Sequence, residues 1–132
     1  MGQASALLRF ERVSFRKMKP IADLIRGKDA DVAEKLLVVS KRRTGRIMLK
    51  LLRSAVANAD DNSELGGADS LYVSRVDLGP GPTAKRARFK ARGRVALIRH
   101  RTTHVRIVLE ERVEDDGRKA EARRPVKEES KA

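Results

Sequence analysis

Apolar side chains recur every three to four residues through most of the first 70 positions, a pattern typical of helices that bury one face. The first helix is expected to begin after Ser14, which suits the N-cap, and to end near Gly27, which suits the position after the C-cap. Pro20 lies inside this pattern and lacks a backbone donor, so a kink or a late start is expected. The apolar stripe of this helix is Phe15, Met18, Ile21, Ala22 and Ile25.

Two more helices are predicted in this part of the chain. Asp31 is expected to cap the second helix, which runs to Val39. Ser40 is expected to cap the third helix, which runs to about Asp60. Gly45 weakens the first turns of the third helix by roughly 1 kcal/mol relative to alanine. The apolar stripe of the third helix is Met48, Leu52, Ala55, Val56 and Ala59.

After a loop predicted at residues 61–69, apolar and polar side chains alternate, which is typical of strands. The alternation changes phase between Val73 and Val76, and this slip of one residue predicts a β-bulge near residues 74–75. Three strands are predicted. The first lies in the early segment 7–13, with apolar positions at Leu8, Phe10 and Val13. The apolar positions of the second are Leu71, Val73, Val76 and Leu78, and those of the third are Val105, Ile107 and Leu109.

The two later strands are joined by a long connection with few apolar side chains. A connection of this length without its own secondary structure is unusual in a compact domain. An extended hairpin over residues 79–104 would explain it, with arms of about 13 residues that each reach roughly 40 Å. The alternative, nearly equal on composition alone, is a disordered basic loop. Phe89 and the apolar run at residues 95–98 favour the ordered hairpin slightly.

Positive charge is concentrated in this same connection. The chain has 31 Lys and Arg against 18 Asp and Glu, a net charge of +13. Residues 83–106 carry nine of the basic side chains and no acidic one. Such an excess favours a polyanionic partner, because each neutralised phosphate releases counterions. Arginine, the main cation here, contacts phosphate through two donors and stacks on bases, which favours RNA.

Several other functions find no support in the sequence. No apolar run approaches the roughly 20 residues that a bilayer-spanning helix requires, so no membrane partner is expected. The absence of cysteine excludes disulfides, thiolate zinc sites and thiol catalysis. His100 and His104 are four residues apart, but the surrounding arginines would repel a metal ion. The sequence contains no recognisable pair of a nucleophile and a general base, so neither enzymatic activity nor a cofactor is expected.

A set of short motifs in a fixed order resembles one known family. The motifs are Ile21–Lys28, Leu52–Asn62, Leu71–Val73, Gly81–Thr83, Gly93-Arg94 and Arg101–His104. Together they resemble the bacterial-type large-subunit ribosomal protein L twenty-two family. The resemblance implies an α+β fold, with three helices packed on a small three-stranded antiparallel sheet and one long protruding β-hairpin. It implies a single domain over residues 1–112, with the hairpin at 79–104. The charged tail at 113–132 is expected to be disordered.

The resemblance also implies a function. Members of this family bind large-subunit (23S-type) rRNA, support assembly, and line the polypeptide exit tunnel with the hairpin tip. Expected partners are therefore large-subunit rRNA, neighbouring ribosomal proteins and the nascent polypeptide, at a cytoplasmic ribosome, with an organellar ribosome as an open alternative. The implied rRNA-binding residues are Arg16, Lys17, Lys28, Lys85, Arg86, Arg99, Arg101, Thr102 and His104. The implied tunnel-lining tip consists of Arg88, Phe89, Lys90, Ala91, Arg92, Gly93 and Arg94.

This chain departs from the family pattern at the tip. Phe89 stands where the family usually has proline, and Arg92 stands where it often has an apolar residue. A function of another class is a non-ribosomal, DNA-architectural module that uses the hairpin as a β-ribbon arm. Such proteins usually dimerise to present paired arms. The sequence offers no spare apolar face for that purpose, so no homo-oligomer is expected.

Overall fold

The computed structural model describes residues 2–61 and 70–112. Most of the loop predicted at residues 61–69 and the whole tail predicted at 113–132 lie outside the described residues. Within them, the chain forms three helices: α1 at Phe15–Ile25, α2 at Ala30–Val39 and α3 at Arg43–Asp61. The five strands of the same part of the chain are β1 at Gln3–Glu11, β2 at Leu71–Pro80, β3 at Ala84–Phe89, β4 at Val95–His100 and β5 at Thr103–Glu111.

Four of the five residues in the predicted apolar stripe of α1 are buried, and the fifth, Phe15, is 37% exposed. The N-cap of α1 is Ser14, and Gly27 follows its C-cap with a φ of 74°, a conformation that glycine adopts without strain. The amide of Gly27 donates a hydrogen bond to the carbonyl of Val73, so the helix end is joined to the sheet at 2.8 Å. Pro20 lies inside the helix, and the predicted late start is wrong because α1 already begins at Phe15.

The predicted boundaries of the next two helices need correction. Helix α2 begins at Ala30, so its N-cap is Asp29, and Asp31 lies in the first turn. Ser40 does not cap α3: it is the C-cap of α2, and its amide donates to the carbonyls of Leu36 and Leu37. Two carbonyl groups near the end of α2 thereby gain a donor, and α3 begins three residues later at Arg43.

Gly45 is needed where α3 approaches the end of α2. A β-carbon at this position would lie 2.8 Å from the Oγ and 2.9 Å from the Cβ of Ser40. These separations are shorter than van der Waals contact, and the Cβ of Ser40 cannot rotate away. The low helix propensity of glycine is therefore offset by the close packing of the two helices.

Replacing Gly45 with alanine is expected to destabilise the protein by about 1–3 kcal/mol, because overpacking outweighs the better helix propensity of alanine. Urea denaturation followed by circular dichroism measures this change. In a Ser40→Gly background the obstructing side chain is gone, so the same substitution should cost much less or become stabilising. An equal effect of Gly45→Ala in both backgrounds would contradict the steric explanation.

Three of the strands form an antiparallel sheet in the order β1-β5-β2. The predicted bulge is confirmed: Val73 pairs with Leu109 and Arg75 pairs with Val108, so Ser74 is the extra residue. The fold class is therefore confirmed as α+β, with three helices and a small antiparallel sheet in the described part of the chain. Strands β3 and β4 pair with each other in a separate two-stranded ribbon.

The core lies between the helices and one face of the sheet. Leu52 of α3 is 1% exposed, as predicted, whereas Val56 is only partly buried against the same cluster. Strand β1 was expected at residues 7–13, but it begins at Gln3 and buries Ala4 and Ala6 beneath α3. Small side chains at these two positions let the helix approach the strand closely. The largest fully buried side chains are Met18, Ile25, Leu37, Met48, Leu52, Leu71, Ile107 and Leu109.

Candidate nucleic-acid interface

The sheet continues into the ribbon through a narrow neck, which consists of residues 81–83 and 101–102. The amide of Gly81 donates to the carbonyl of Thr102 at 2.9 Å, and the hydroxyl of Thr102 donates to the carbonyl of Pro82 at 2.7 Å. A β-carbon on Gly81 would collide with Oγ1 of Thr102 and lie 3.2 Å from Nε2 of His104. Glycine at this position therefore lets the two segments of the neck cross closely.

His104 supports the neck from the side of β1. Its Nδ1 accepts a hydrogen bond from the amide of Phe10 at 3.1 Å, and its ring packs edge-to-face on the Phe10 ring with centroids 4.7 Å apart. Phe10 has a φ of 57°, and it lies where the register of β1 shifts. Two of the residues expected to bind RNA, Thr102 and His104, thus have partners within the chain, and their contacts join the neck to β1 and to itself.

One basic cleft lies beside the neck, and we call it the neck cleft. It is formed by the turn after β1, the first turns of α1 and α3, and the end of β4. No carboxylate lines it, and its cations form no ion pair with another described residue. The lining residues are Arg12, Val13, Ser14, Lys17, Arg43, Thr44, Arg99, His100 and Arg101. Five permanent positive charges next to the amino end of α3 make this cleft attractive to an anion.

A second cleft lies next to the neck cleft and shares Ser14 and Arg101 with it. Its lining residues are Ser14, Phe15, Arg16, Pro80, Gly81, Thr83, Arg101 and Thr102. Of the residues predicted to bind RNA, Lys17, Arg99 and Arg101 line the neck cleft, and Arg16, Arg101 and Thr102 line the second cleft. Their role in RNA binding stays a prediction. Lys28 lines neither cleft: it is exposed in the turn between α1 and α2, and its carbonyl accepts from the amide of Val73.

Arg12 and Arg43 belong to the neck cleft, although the charge pattern did not point to them. They are 31 positions apart in the sequence, and each is far from the basic segment at residues 83–106. Arg12 and Arg43 lie beside Arg99 only because α3 packs against β1. A single sequence carries no local signal for such an arrangement.

The ribbon has two chemically different faces. In an antiparallel pair, residues directly opposite one another point to the same side. One face therefore carries three cross-strand pairs, which are Lys85 with Arg99, Ala87 with Leu97, and Phe89 with Val95. The other face carries the pairs Ala84 with His100, Arg86 with Ile98, and Arg88 with Ala96. We call the first the apolar face and the second the arginine face.

The tip of the hairpin, residues 88–94, consists of the last two residues of β3 and the turn at residues 90–94, and all of them are exposed. The amide of Lys90 donates to the carbonyl of Arg94 at 2.7 Å and closes the turn. Arg92 and Gly93 both have a left-handed backbone, with φ of 58° and 69°. No atom of the described chain lies within 4 Å of a β-carbon built on Gly93, so within the protein this glycine is required by its φ alone.

Comparison with known proteins decides the family. The family model for ribosomal protein L22p/L17e matches residues 6–110. The chain belongs to this family. A protein from Acetivibrio thermocellus named "Large ribosomal subunit protein uL22" is 44% identical over 83% of this chain and 87% of its own length. Proteins of the same name from Caldicellulosiruptor saccharolyticus and Bdellovibrio bacteriovorus are 42% and 40% identical, over 89% and 99% of their lengths.

A member of the L22p/L17e family is a structural ribosomal protein and not an enzyme. None of the helices in residues 2–61 and 70–112 has the length and the apolar run that crossing a bilayer requires. In the same residues, no three His, Asp or Glu side chains are grouped so that they could hold a metal ion.

Proposed function

We propose that this chain is a structural constituent of the large ribosomal subunit that binds 23S-type rRNA and supports assembly of the subunit. The observation that carries the proposal is the pair of clefts at the neck. Cations from four separate elements converge there without a neutralising carboxylate. Phosphate groups of folded rRNA supply the missing negative charge, and neighbouring ribosomal proteins complete the surroundings.

The RNA-binding surface extends from the clefts along the hairpin stem. Lys85, Arg86 and Arg99 are exposed on β3 and β4, with no carboxylate in the whole segment from residue 83 to 106. Like charges in such a narrow ribbon repel, and a two-stranded ribbon is only marginally stable in water. Binding to RNA phosphates removes the repulsion and orders the arm.

The exposed tip at residues 88–94 is proposed to line the polypeptide exit tunnel, where it meets the nascent chain. Gly93 allows the reversed turn at the tip, and Arg88, Lys90 and Arg92 place positive charge beside the tunnel space. Residues 1–112 form the domain that carries these surfaces. The relatives named above are bacterial, which favours a cytoplasmic ribosome over an organellar one.

A sedimentation profile of cell lysate tests this function. We expect the full chain to migrate with large ribosomal subunits and with intact ribosomes, and to remain bound at moderate salt. A chain found only in fractions free of ribosomes would overturn the proposal. If the chain instead migrated with DNA after ribonuclease treatment, the DNA-architectural alternative would be favoured.

A further inference from the structure

The apolar face of the ribbon carries large side chains that no described part of the chain covers. Phe89 is 82% exposed, Val95 57% and Leu97 53%, and all three point to the same side of the ribbon. Contiguous apolar side chains on a surface mark a binding site more often than isolated ones do. These three lie on an arm with no apolar core of its own, so packing of the protein does not explain them.

The same face carries two cations at the end nearer the neck. Lys85 lies directly opposite Arg99, and like charges in this arrangement destabilise a strand pair. No acidic side chain occurs in residues 83–106 to relieve the repulsion. The Lys85–Arg99 pair and the Phe89–Val95 pair are four residues apart along each strand, or about 13 Å at 3.3 Å per residue. A ligand that joins an anionic group to apolar groups could therefore contact both ends of the apolar face at once.

We infer that the apolar face binds unpaired nucleotides of RNA, with bases stacked on Phe89 and Leu97 and a phosphate held between Lys85 and Arg99. The inference rests on the proposed function and adds the kind of RNA that this face recognises. A nucleotide joins a flat base to an anionic phosphate, which is the combination that the face presents. A nascent peptide has no regular anion at such a spacing.

The bases must be unpaired for a geometric reason. In a duplex the faces of the bases are covered by stacking, and proteins reach them in loops, bulges and single strands. Aromatic side chains bind such exposed bases with little regard to their identity. Arg86 and Arg88 lie on the opposite face of the ribbon. The apolar face, which includes Phe89 of the tip, can therefore contact bases while Arg88, on the arginine face of the tip, borders the tunnel space.

A tryptophan at position 89 provides a direct readout, because the chain contains no other tryptophan. We would titrate full-length Phe89→Trp with an oligoadenylate of eight nucleotides and with an abasic strand of the same length and charge. Stacking should quench the indole fluorescence with oligoadenylate and leave it nearly unchanged with the abasic strand. Val39→Trp is the control, since Val39 is 78% exposed on α2, in neither cleft nor ribbon, and should not respond to either strand.

Affinity gives a second readout that does not depend on a probe. Phe89→Ser should weaken oligoadenylate binding by about 5- to 150-fold, as expected for the loss of one stacked base, and Phe89→Tyr should preserve it. Binding of the abasic strand should be the same in all three proteins. Because Phe89 is 82% exposed, the substitution leaves the core intact. Equal affinity of the unmodified chain for both strands would overturn the inference.

The inference and the proposed function can fail separately. If the unmodified chain is absent from large subunits, the proposed function fails. If the unmodified chain enters subunits and Phe89→Ser leaves oligoadenylate binding unchanged, only the inference fails. A photo-crosslinker at position 89 that labels the nascent peptide and not RNA would likewise overturn the inference, and would assign the apolar face to the tunnel space.

Discussion

Replacing Leu52 with alanine is expected to lower the free energy of unfolding by about 2–5 kcal/mol. Leu52 lies on α3, is 1% exposed, and belongs to the cluster in which the helices pack on the sheet. Removing its side chain loses apolar burial and leaves a cavity in the core between the helices and the sheet. Chemical denaturation of the isolated protein measures the loss.

Leu24→Ala is the matched control for this prediction. It makes the same chemical change within a helix, but Leu24 is 41% exposed on α1. Its cost should therefore be clearly smaller than that of Leu52→Ala. Similar losses for the two variants would show that burial in the core does not determine the stability of the helix-on-sheet arrangement.

The parts of the fold that the sequence predicted well are those with strong local signals. The apolar stripe of α1 and the glycine after its C-cap are both readable within a dozen residues. The phase change between Val73 and Val76 likewise reported the bulge at Ser74 directly. In each case the periodicity itself records which side chains face the core.

The errors in the fold have physical causes. Asp29 and Asp31 both suit an N-cap. Asp29 takes this position in the structure, where its backbone also forms an isolated β-bridge with Tyr72, more than 40 residues away in the sequence. Ser40 follows α2 and precedes α3, and only the packing of Gly45 against it separates the two roles. Strand β1 buries alanines, whose small side chains give a weak apolar signal.

The candidate site likewise has parts with a local sequence signal and parts that depend on tertiary packing. The basic residues of the hairpin stood out in the sequence, because nine basic side chains and no acidic one in residues 83–106 form a local signal. The two faces of the ribbon depend on the cross-strand register, which begins at Phe89 opposite Val95 and is set by the turn at Arg92 and Gly93. The neck cleft depends on tertiary packing, so Arg12 and Arg43 appeared only in the structure.

The second large effect is expected from substitutions in the hairpin stem. Arg99 and Arg101 line the neck cleft, and both are exposed and without an ion pair to any described residue. If each holds a phosphate, the double substitution Arg99→Ala/Arg101→Ala should weaken binding to large-subunit rRNA by at least about tenfold. The dependence of log affinity on log salt should also become shallower, by about 1 for each phosphate that is no longer bound.

Tip substitutions should behave differently, since residues of the tip are proposed to face the tunnel. The triple substitution Arg88→Ala/Lys90→Ala/Arg92→Ala removes three charges, one more than the stem variant, yet incorporation into the subunit should remain close to normal. Translational stalling that depends on the nascent peptide should change instead, because three cations are removed from the tunnel wall. Filter binding, subunit incorporation and a stalling assay on both variants measure these effects.

The comparison of stem and tip separates a placed arm from a nonspecific electrostatic anchor. An anchor responds to the number of charges removed, so the tip variant would lose at least as much rRNA binding and incorporation as the stem variant and would leave stalling unchanged. An arm inserted among rRNA segments responds to position, because phosphates surround the stem and the tip borders open space. Equal loss of incorporation in both variants, with no effect on stalling, would therefore remove the tunnel-lining role while rRNA binding through the neck clefts remained.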